Sequence, residues 1–190
     1  MKRLIVLLAL ALSMSAFAAL NTGDVAPDFK APASLDGKEF EFSLKESLEK
    51  GPVVVYFYPS AFTGGCSLQA HTFAVNHEKF AAAGASIIGV SLDSIERLNE
   101  FSADPEYCAG KIAVASDAGG KIARSYNLKV ENAKVGAKDS RGVEIGHGFA
   151  ERTTFIVTPN GKIAATVGGV SPVENVTQSL EIVQQLAQKK

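Results

Sequence analysis

Val53-Val-Val-Tyr-Phe-Tyr58 is an apolar run without a polar break. Its β-branched and aromatic residues favour a strand that is buried on both faces of a sheet. From about residue 63 to residue 83 the pattern becomes helical, with Gln69 on the predicted polar face, and Gly84 ends the helix. Ser86-Ile-Ile-Gly-Val-Ser91 is a second strand. Strand, helix and strand form a βαβ unit, which requires parallel pairing.

The C-terminal part of the chain predicts an antiparallel unit. Residues 153–157 and 163–167 are apolar runs separated by Thr158-Pro-Asn-Gly161, whose composition favours a tight turn. Ser171-Pro-Val-Glu174 has the cap, proline and acid of a helix start. The final helix then buries a stripe formed by Val173, Val176, Leu180 and Val183. A parallel half and an antiparallel half together predict a thioredoxin-like mixed α/β sheet flanked by helices.

The connecting segments give weaker signals. Asp93, with Glu96 three residues later, predicts a helix that Asp93 caps and that ends near Phe101. Residues 112–115 predict a short strand and residues 119–126 a helix. Residues 129–148 are polar and aperiodic, which predicts a long surface excursion in which His147 has no assignable task.

Composition excludes several classes of protein. The 190 residues carry 19 Lys and Arg against 20 Asp and Glu, and 46% are hydrophobic, as expected for one soluble domain. A net charge of −1 lacks the electrostatic footprint of a nucleic-acid-binding protein. Two cysteines and three histidines are too few for a metal cluster, so we expect neither a metal nor a cofactor.

The N-terminus has the three parts of a secretory signal peptide. Met1-Lys-Arg3 is basic, residues 4–12 are apolar, and Ala16-Phe-Ala18 supplies small residues for cleavage. A membrane anchor is the alternative, but 17 residues broken by two serines are at the short limit for a span. We therefore expect cleavage after Ala18, export to a bacterial periplasm, no stable membrane association afterwards, and one domain over residues 19–190.

Reactive chemistry is predicted where the first strand meets the long helix. Thr63-Gly-Gly-Cys66 opens that helix at the carboxyl end of a buried strand, where open α/β sheets place their ligands. The unpaired N–H groups and positive dipole of a helix N-terminus favour thiolate over thiol, and the thiolate is the reactive form. The alternative for Cys66 is a small buried hydrophobic residue. A core residue needs neither neighbouring glycines nor a preceding proline.

Pro59-x-x-x-Thr63-x-x-Cys66 resembles the active-site signature of the peroxiredoxins, thiol peroxidases with a thioredoxin-like fold. Gly23-Asp-Val-Ala-Pro-Asp-Phe29 resembles the N-terminal extension of that family, and Arg152-Thr-Thr-Phe-Ile-Val157 resembles the strand that carries its arginine. Gly89-Val-Ser-Leu-Asp-Ser94 and Ala115-Ser-Asp-Ala-Gly-Gly-Lys121 are most similar to the bacterioferritin-comigratory, or Q-type, branch.

The resemblance implies a role for each matching residue. Cys66 would attack a hydrogen peroxide or an organic hydroperoxide and become a sulfenic acid. Thr63, Arg152 and the Cys66 backbone N–H would stabilise the charge that moves along the O–O bond. Pro59 would shield the thiolate from bulk water. Without the resemblance, a solvated strand-end charge is the commoner role of an arginine, and Pro59 would be only a strand terminator.

The resemblance does not decide which thiol reacts with the Cys66 sulfenic acid, that is, which thiol is the resolving one. Q-type members often have a second cysteine five residues after the first, where this chain has His71. Other members place it near the position of Cys108, so a Cys66–Cys108 disulfide is the preferred hypothesis. Resolution by an outside thiol and a permanent structural disulfide are the alternatives.

Other functions remain alternatives. A thioredoxin-type disulfide oxidoreductase needs Cys-x-x-Cys, but Gln occupies position 69. A cysteine hydrolase would have to use His147 as its base. A non-catalytic redox-binding module is the third possibility. For the peroxidase we expect a thioredoxin-like, glutaredoxin-like or small-thiol reductant, and a monomer or weak dimer.

Overall fold

The computed structural model describes residues 18–189. Residues 1–17 of the predicted signal peptide lie outside the described residues. The described chain forms nine strands and five helices. The strands are Lys30–Leu35 (β1), Lys38–Ser43 (β2), Val53–Phe57 (β3), Ser86–Ser91 (β4), Ala113–Ser116 (β5), Val130–Glu131 (β6), Phe149–Ala150 (β7), Thr153–Val157 (β8) and Ile163–Gly168 (β9). The helices are Leu44–Leu48 (α1), Gly64–Ala82 (α2), Ile95–Ala103 (α3), Lys121–Ser125 (α4) and Pro172–Gln188 (α5).

Seven of the strands form one mixed sheet in the order β2-β1-β5-β4-β3-β8-β9. β3 pairs with β4 in parallel, and β8 pairs with both β3 and β9 antiparallel. The predicted βαβ unit and the predicted C-terminal hairpin are therefore both confirmed. Within residues 18–189, no helix has both the length and the apolar character needed to cross a membrane.

Every residue of β3 is buried, because helices cover both faces of the sheet at its centre. Val53, Val55 and Phe57 contribute to one core cluster, together with residues of α1 and α4. Val54 and Tyr56 contribute to the other, together with residues of α2, α3 and α5. Alternate side chains of a strand point to opposite faces, so an unbroken apolar run is what this position requires.

Helix α2 starts one residue after Thr63 and ends before Gly84, which adopts a φ of 78°. Both ends agree with the prediction. The predicted polar face was wrong at Gln69, which is completely buried. It was wrong because a polar residue can lie in a core when its amide is fully hydrogen-bonded.

The predicted cap of α3 was also wrong. The side chain of Ser94, not that of Asp93, accepts the Arg97 N–H and caps the helix. Asp93 is fully buried behind it. Helix α4 is shorter than predicted, because Gly120 adopts a left-handed conformation directly before it.

The stripe predicted for α5 was wrong in part. Val173 is 43% exposed, whereas Asn175 and Ser179 are buried beside Val176 and Val183. The cap was predicted correctly, since Ser171 accepts the Glu174 N–H at 3.2 Å.

One hairpin was not predicted. β1 and β2 pair antiparallel and join the sheet through β5. Their turn is Asp36-Gly37, and both residues have positive φ, at 53° and 71°. Asp-Gly is a strong signal for a two-residue hairpin turn, so the sequence did contain the information.

Candidate active site

The connection between β3 and α2 places Cys66 at the third position of the helix. The Thr63 carbonyl accepts the backbone N–H groups of Cys66 and Ser67 at 2.9 and 2.8 Å. The Thr63 hydroxyl makes no cap bond and instead donates to the Ser60 carbonyl at 2.8 Å. Cys66 lies in the first turn of α2, so its sulfur is close to the positive end of the helix dipole.

Arg152 comes to this sulfur from the neighbouring strand. Thr153, the first residue of β8, pairs with Phe57, the last residue of β3, so Arg152 lies beside the carboxyl end of β3. Its Nη2 donates to Cys66 Sγ at 3.3 Å. The Cys66 residue is only 2% exposed. The guanidinium therefore donates to a nearly buried sulfur with little competition from solvent.

Gly65 provides room for this contact. A Cβ on Gly65 would lie 3.2 Å from Arg152 Nη2 and 3.5 Å from Pro172. The absence of a side chain at Gly65 therefore gives the guanidinium room to reach the sulfur.

A buried chain of amides holds the guanidinium. Arg152 Nη1 donates to Gln69 Oε1. Gln69 Nε2 donates at 2.9 Å to Asn175 Oδ1, which also accepts the Thr154 hydroxyl at 2.6 Å. Asn175 Nδ2 donates to the Val167 carbonyl at 2.9 Å. Helices α2 and α5 and strands β8 and β9 thus jointly orient one arginine.

The sequence analysis missed this chain of amides. Gln69 follows Cys66 by three residues and therefore lies on the same face of α2, which was the available signal. Asn175 had no comparable signal, because its partner is 106 residues away.

Replacing Gln69 with leucine should lower the rate constant for peroxide reduction about tenfold, since a misplaced guanidinium loses most of its effect on the reacting sulfur. Leucine keeps the volume but leaves Arg152 Nη1 without its acceptor. Stopped-flow kinetics with hydrogen peroxide measure the change. Gln178→Leu is the control, because the Gln178 side chain bonds that of Glu174 within α5 and takes no part in the buried amide contacts. Equal rates for Q69L and the wild type would contradict the role of Gln69.

The other two predicted site residues, Pro59 and Cys108, differ in exposure. Pro59 is half-buried and lines a groove together with Arg152 and Phe149. Cys108 is completely buried in the same core cluster as Cys66. Both cysteines are free thiols in this structure. Burial, reinforced by the nearby Asp104 carboxylate, raises the pKa of the Cys108 thiol well above its ordinary value.

The three histidines differ in their surroundings. His71 is exposed and contacts the Glu106 carbonyl through Nδ1 at 3.0 Å. His77 is half-buried on α2. His147 was predicted to have no role, but it lies 2.8 Å from the buried Asp93 carboxylate. Among the described residues there is no group of three or more His, Cys, Asp or Glu side chains that could hold a metal ion.

The chain is similar to a known protein family. Residues 22–166 match the model of the AhpC/TSA family. The chain belongs to the AhpC/TSA family. It is 32% identical over 172 residues to the chloroplastic peroxiredoxin Q of Gentiana triflora, an alignment that covers 90% of this chain and 70% of that protein. It is 33% identical over 142 residues to the putative peroxiredoxin bcp of Helicobacter pylori, covering 75% and 84%.

A solved structure gives the same result for the fold. Peroxidoxin BcpB of Mycobacterium tuberculosis superposes with a TM-score of 0.72 at 25% identity, over 88% of this chain and 98% of that one. The thioredoxin-like fold and the Q/Bcp resemblance expected from the sequence are therefore confirmed. The protein is a peroxiredoxin, a thiol-dependent peroxidase and hence an oxidoreductase. Peroxiredoxins reduce peroxides with electrons from thioredoxin-type thiols.

Proposed function

We propose that Cys66 is the peroxidatic nucleophile of this peroxiredoxin. The contact of its sulfur with Arg152 Nη2 at the N-terminus of α2 is the observation that carries the proposal. The thiolate attacks one peroxide oxygen, the S–O bond forms and the O–O bond breaks. Sulfur is oxidised by two electrons to sulfenic acid, and the departing oxygen takes a proton and leaves as water or alcohol.

Three neighbours assist this step. Arg152 donates along the line on which negative charge moves from sulfur to the leaving oxygen. The resemblance implied that Thr63 donates to the reacting peroxide, but its hydroxyl donates its hydrogen to the Ser60 carbonyl in this structure. The Thr63 lone pairs therefore accept the peroxide O–H instead. Pro59 lines the groove beside Arg152 and shields that side of the site from bulk water. The resemblance implied that the Cys66 N–H also stabilises this charge, but in this structure it donates to the Thr63 carbonyl.

Cys108 is the proposed resolving thiol. It attacks the Cys66 sulfenic acid, the S–S bond forms and one water leaves, and a thioredoxin-like, glutaredoxin-like or small-thiol reductant restores both thiols. Tyr107 stacks on Phe101 at 5.4 Å and meets Phe62 at 5.5 Å, which connects the Cys108 segment to the active-site loop. The buried Cys108 must leave this packing before it can react.

Stoichiometric oxidation tests both assignments. One equivalent of hydrogen peroxide should convert the reduced protein to a form lighter by two hydrogens, with Cys66 and Cys108 joined in one peptide pair. In Cys108→Ser, a sulfenic acid trap should label Cys66. Label on Cys108 in the Cys66→Ser variant would contradict the assignment of Cys66 as the nucleophile. A wild-type Cys66 sulfenic acid with Cys108 still alkylatable would instead favour the outside-thiol route.

Export to a bacterial periplasm is proposed on the sequence of residues 1–18 alone. The basic start, the apolar stretch and Ala16-Phe-Ala18 support it. In an oxidising compartment a Cys66–Cys108 disulfide persists until a dedicated thiol reduces it.

A further inference from the structure

Asp93, in the connection between β4 and α3, is a fully buried carboxylate that accepts from five groups. The donors are Ser91 Oγ at 2.7 Å, Ala61 N, Arg97 Nε and His147 Nε2 at 2.8 Å each, and Ser60 Oγ at 3.0 Å. A buried charge is tolerated only when it is paired and hydrogen-bonded in this way.

Two of these donors belong to the active-site loop, residues 58–63. Asp93 binds the side chain of Ser60 and the backbone N–H of Ala61, while Arg97 Nη2 donates to the Ala61 carbonyl at 3.0 Å. The Ser60 carbonyl accepts the Thr63 hydroxyl. Asp93 therefore fixes the backbone that orients Thr63 and begins α2.

The loop is held in a conformation that it would not adopt unaided. Phe62 has a φ of 59°, which is unfavourable for an aromatic residue. Its carbonyl accepts both the N–H and the hydroxyl of Ser140, at 2.9 and 2.7 Å. Residues 129–148, predicted as a surface excursion, thus contact the active-site loop directly at Phe62. They also reach it indirectly, because His147 binds Asp93, which holds the loop.

Both ring nitrogens of His147 face acceptors. Nε2 lies 2.8 Å from Asp93 Oδ1, and Nδ1 lies 2.7 Å from the Gly148 carbonyl oxygen. A carboxylate and a carbonyl cannot donate, so both nitrogens must carry hydrogen. A neutral imidazole has only one N–H, so one ring nitrogen would face an acceptor oxygen with a lone pair instead of a hydrogen. The arrangement therefore fits an imidazolium.

The charged groups around the ring agree with this protonation. Burial opposes a charge on His147, but the Asp93 hydrogen bond and charge outweigh it and raise the pKa of His147 above its ordinary value, although Arg97 of α3 acts in the opposite direction. Burial would raise the pKa of Asp93, but its bonds from His147, Ala61 and Ser91 hold it below the ordinary value. Asp139, from the same segment as His147, is bonded to Arg97 and Arg141.

We propose that protonated His147 is a positioning residue for peroxide reduction, which acts through Asp93 on the loop that carries Thr63 and begins the Cys66 helix. The proposal rests on Cys66 being the nucleophile. When His147 loses its proton, one of its two hydrogen bonds is lost. The Ser60 hydroxyl, 3.4 Å from Nε2, can then turn from Asp93 to the ring nitrogen. The attachment of the loop to Asp93 becomes weaker.

The test compares the second-order rate constants of wild type and His147→Gln with hydrogen peroxide between pH 5.5 and 9. Glutamine keeps an N–H donor but cannot carry the charge. The wild type should be about tenfold faster at pH 6, a typical cost of small misplacement in an active site. The ratio should fall towards one as His147 loses its proton. Taking the ratio removes any pH dependence that the two proteins have in common.

His77→Gln is the matched control, and its ratio to wild type should stay near one at every pH. A wild-type to H147Q ratio that is constant with pH, whatever its value, would reduce His147 to a structural residue and overturn the proposal. If Cys66→Ser still consumed peroxide at the wild-type rate, the proposed function itself would fail, which is a separate result.

A second measurement needs no variant. Two-dimensional NMR of the histidine side-chain nitrogens in the wild-type protein should show both nitrogens of His147 protonated at pH 6.5. It should then show a transition to one neutral tautomer at higher pH. A single neutral tautomer at pH 6.5 would overturn the proposal even if H147Q failed to fold.

Discussion

Cys66→Ser removes rapid peroxide consumption, with an expected loss of at least about 10³-fold in the second-order rate constant. A cysteine reacts as its thiolate, which is a strong nucleophile, whereas a serine hydroxyl stays protonated at neutral pH and is a weak one. The variant keeps the contacts of α2, because serine is close to cysteine in size. Its thermal stability should therefore stay near that of the wild type.

Stopped-flow mixing of reduced protein with hydrogen peroxide measures this loss. Cys108→Ser is the matched control, since Cys108 is completely buried and takes no part in the first oxidation step, which should keep the wild-type rate in this variant. The two variants separate the attack of Cys66 on peroxide from the later formation of the disulfide. C108S should lose only the turnover that depends on the intramolecular disulfide. A C66S variant with the wild-type rate would assign the nucleophile to another residue.

Local signals explain what the sequence predicted of the site. Thr63 and Cys66 lie three residues apart at the start of one helix, where a hydroxyl, two glycines and a thiol are recognisable together. Arg152 needed the family resemblance, because an isolated arginine at a strand end is most often solvated. Gln69 and Asn175 were missed because their value depends on partners that meet only after α2 packs against α5.

The same distinction applies to the fold. The buried run of β3, the Pro-Asn-Gly turn before β9 and the cap of α5 are local patterns, and each was predicted correctly. The segment 129–148 has little periodicity, and only four residues lie in short strands on or beside it. Its structure comes from distant polar partners such as Asp93 and the Phe62 carbonyl, which no window of sequence contains.

Asp93 shows how a correct residue type can receive the wrong role. An acidic residue before a helix is a reasonable cap, and the neighbouring Ser94 was available as a competitor. The structure gives the cap to the serine and uses the carboxylate to hold the active-site loop. A short side chain is enough to cap, whereas a buried charge is retained only where several donors surround it.

Arg152→Gln should lower the rate constant for peroxide reduction by about 10²–10³-fold, the usual cost of removing one preorganised donor from developing charge. Arg152→Lys keeps the charge but cannot donate to Gln69 and Cys66 from one planar guanidinium. Its rate constant should therefore lie between those of the wild type and R152Q. Wild-type peroxide kinetics in R152K would show that charge alone suffices, and wild-type kinetics in R152Q would exclude the guanidinium from the reaction.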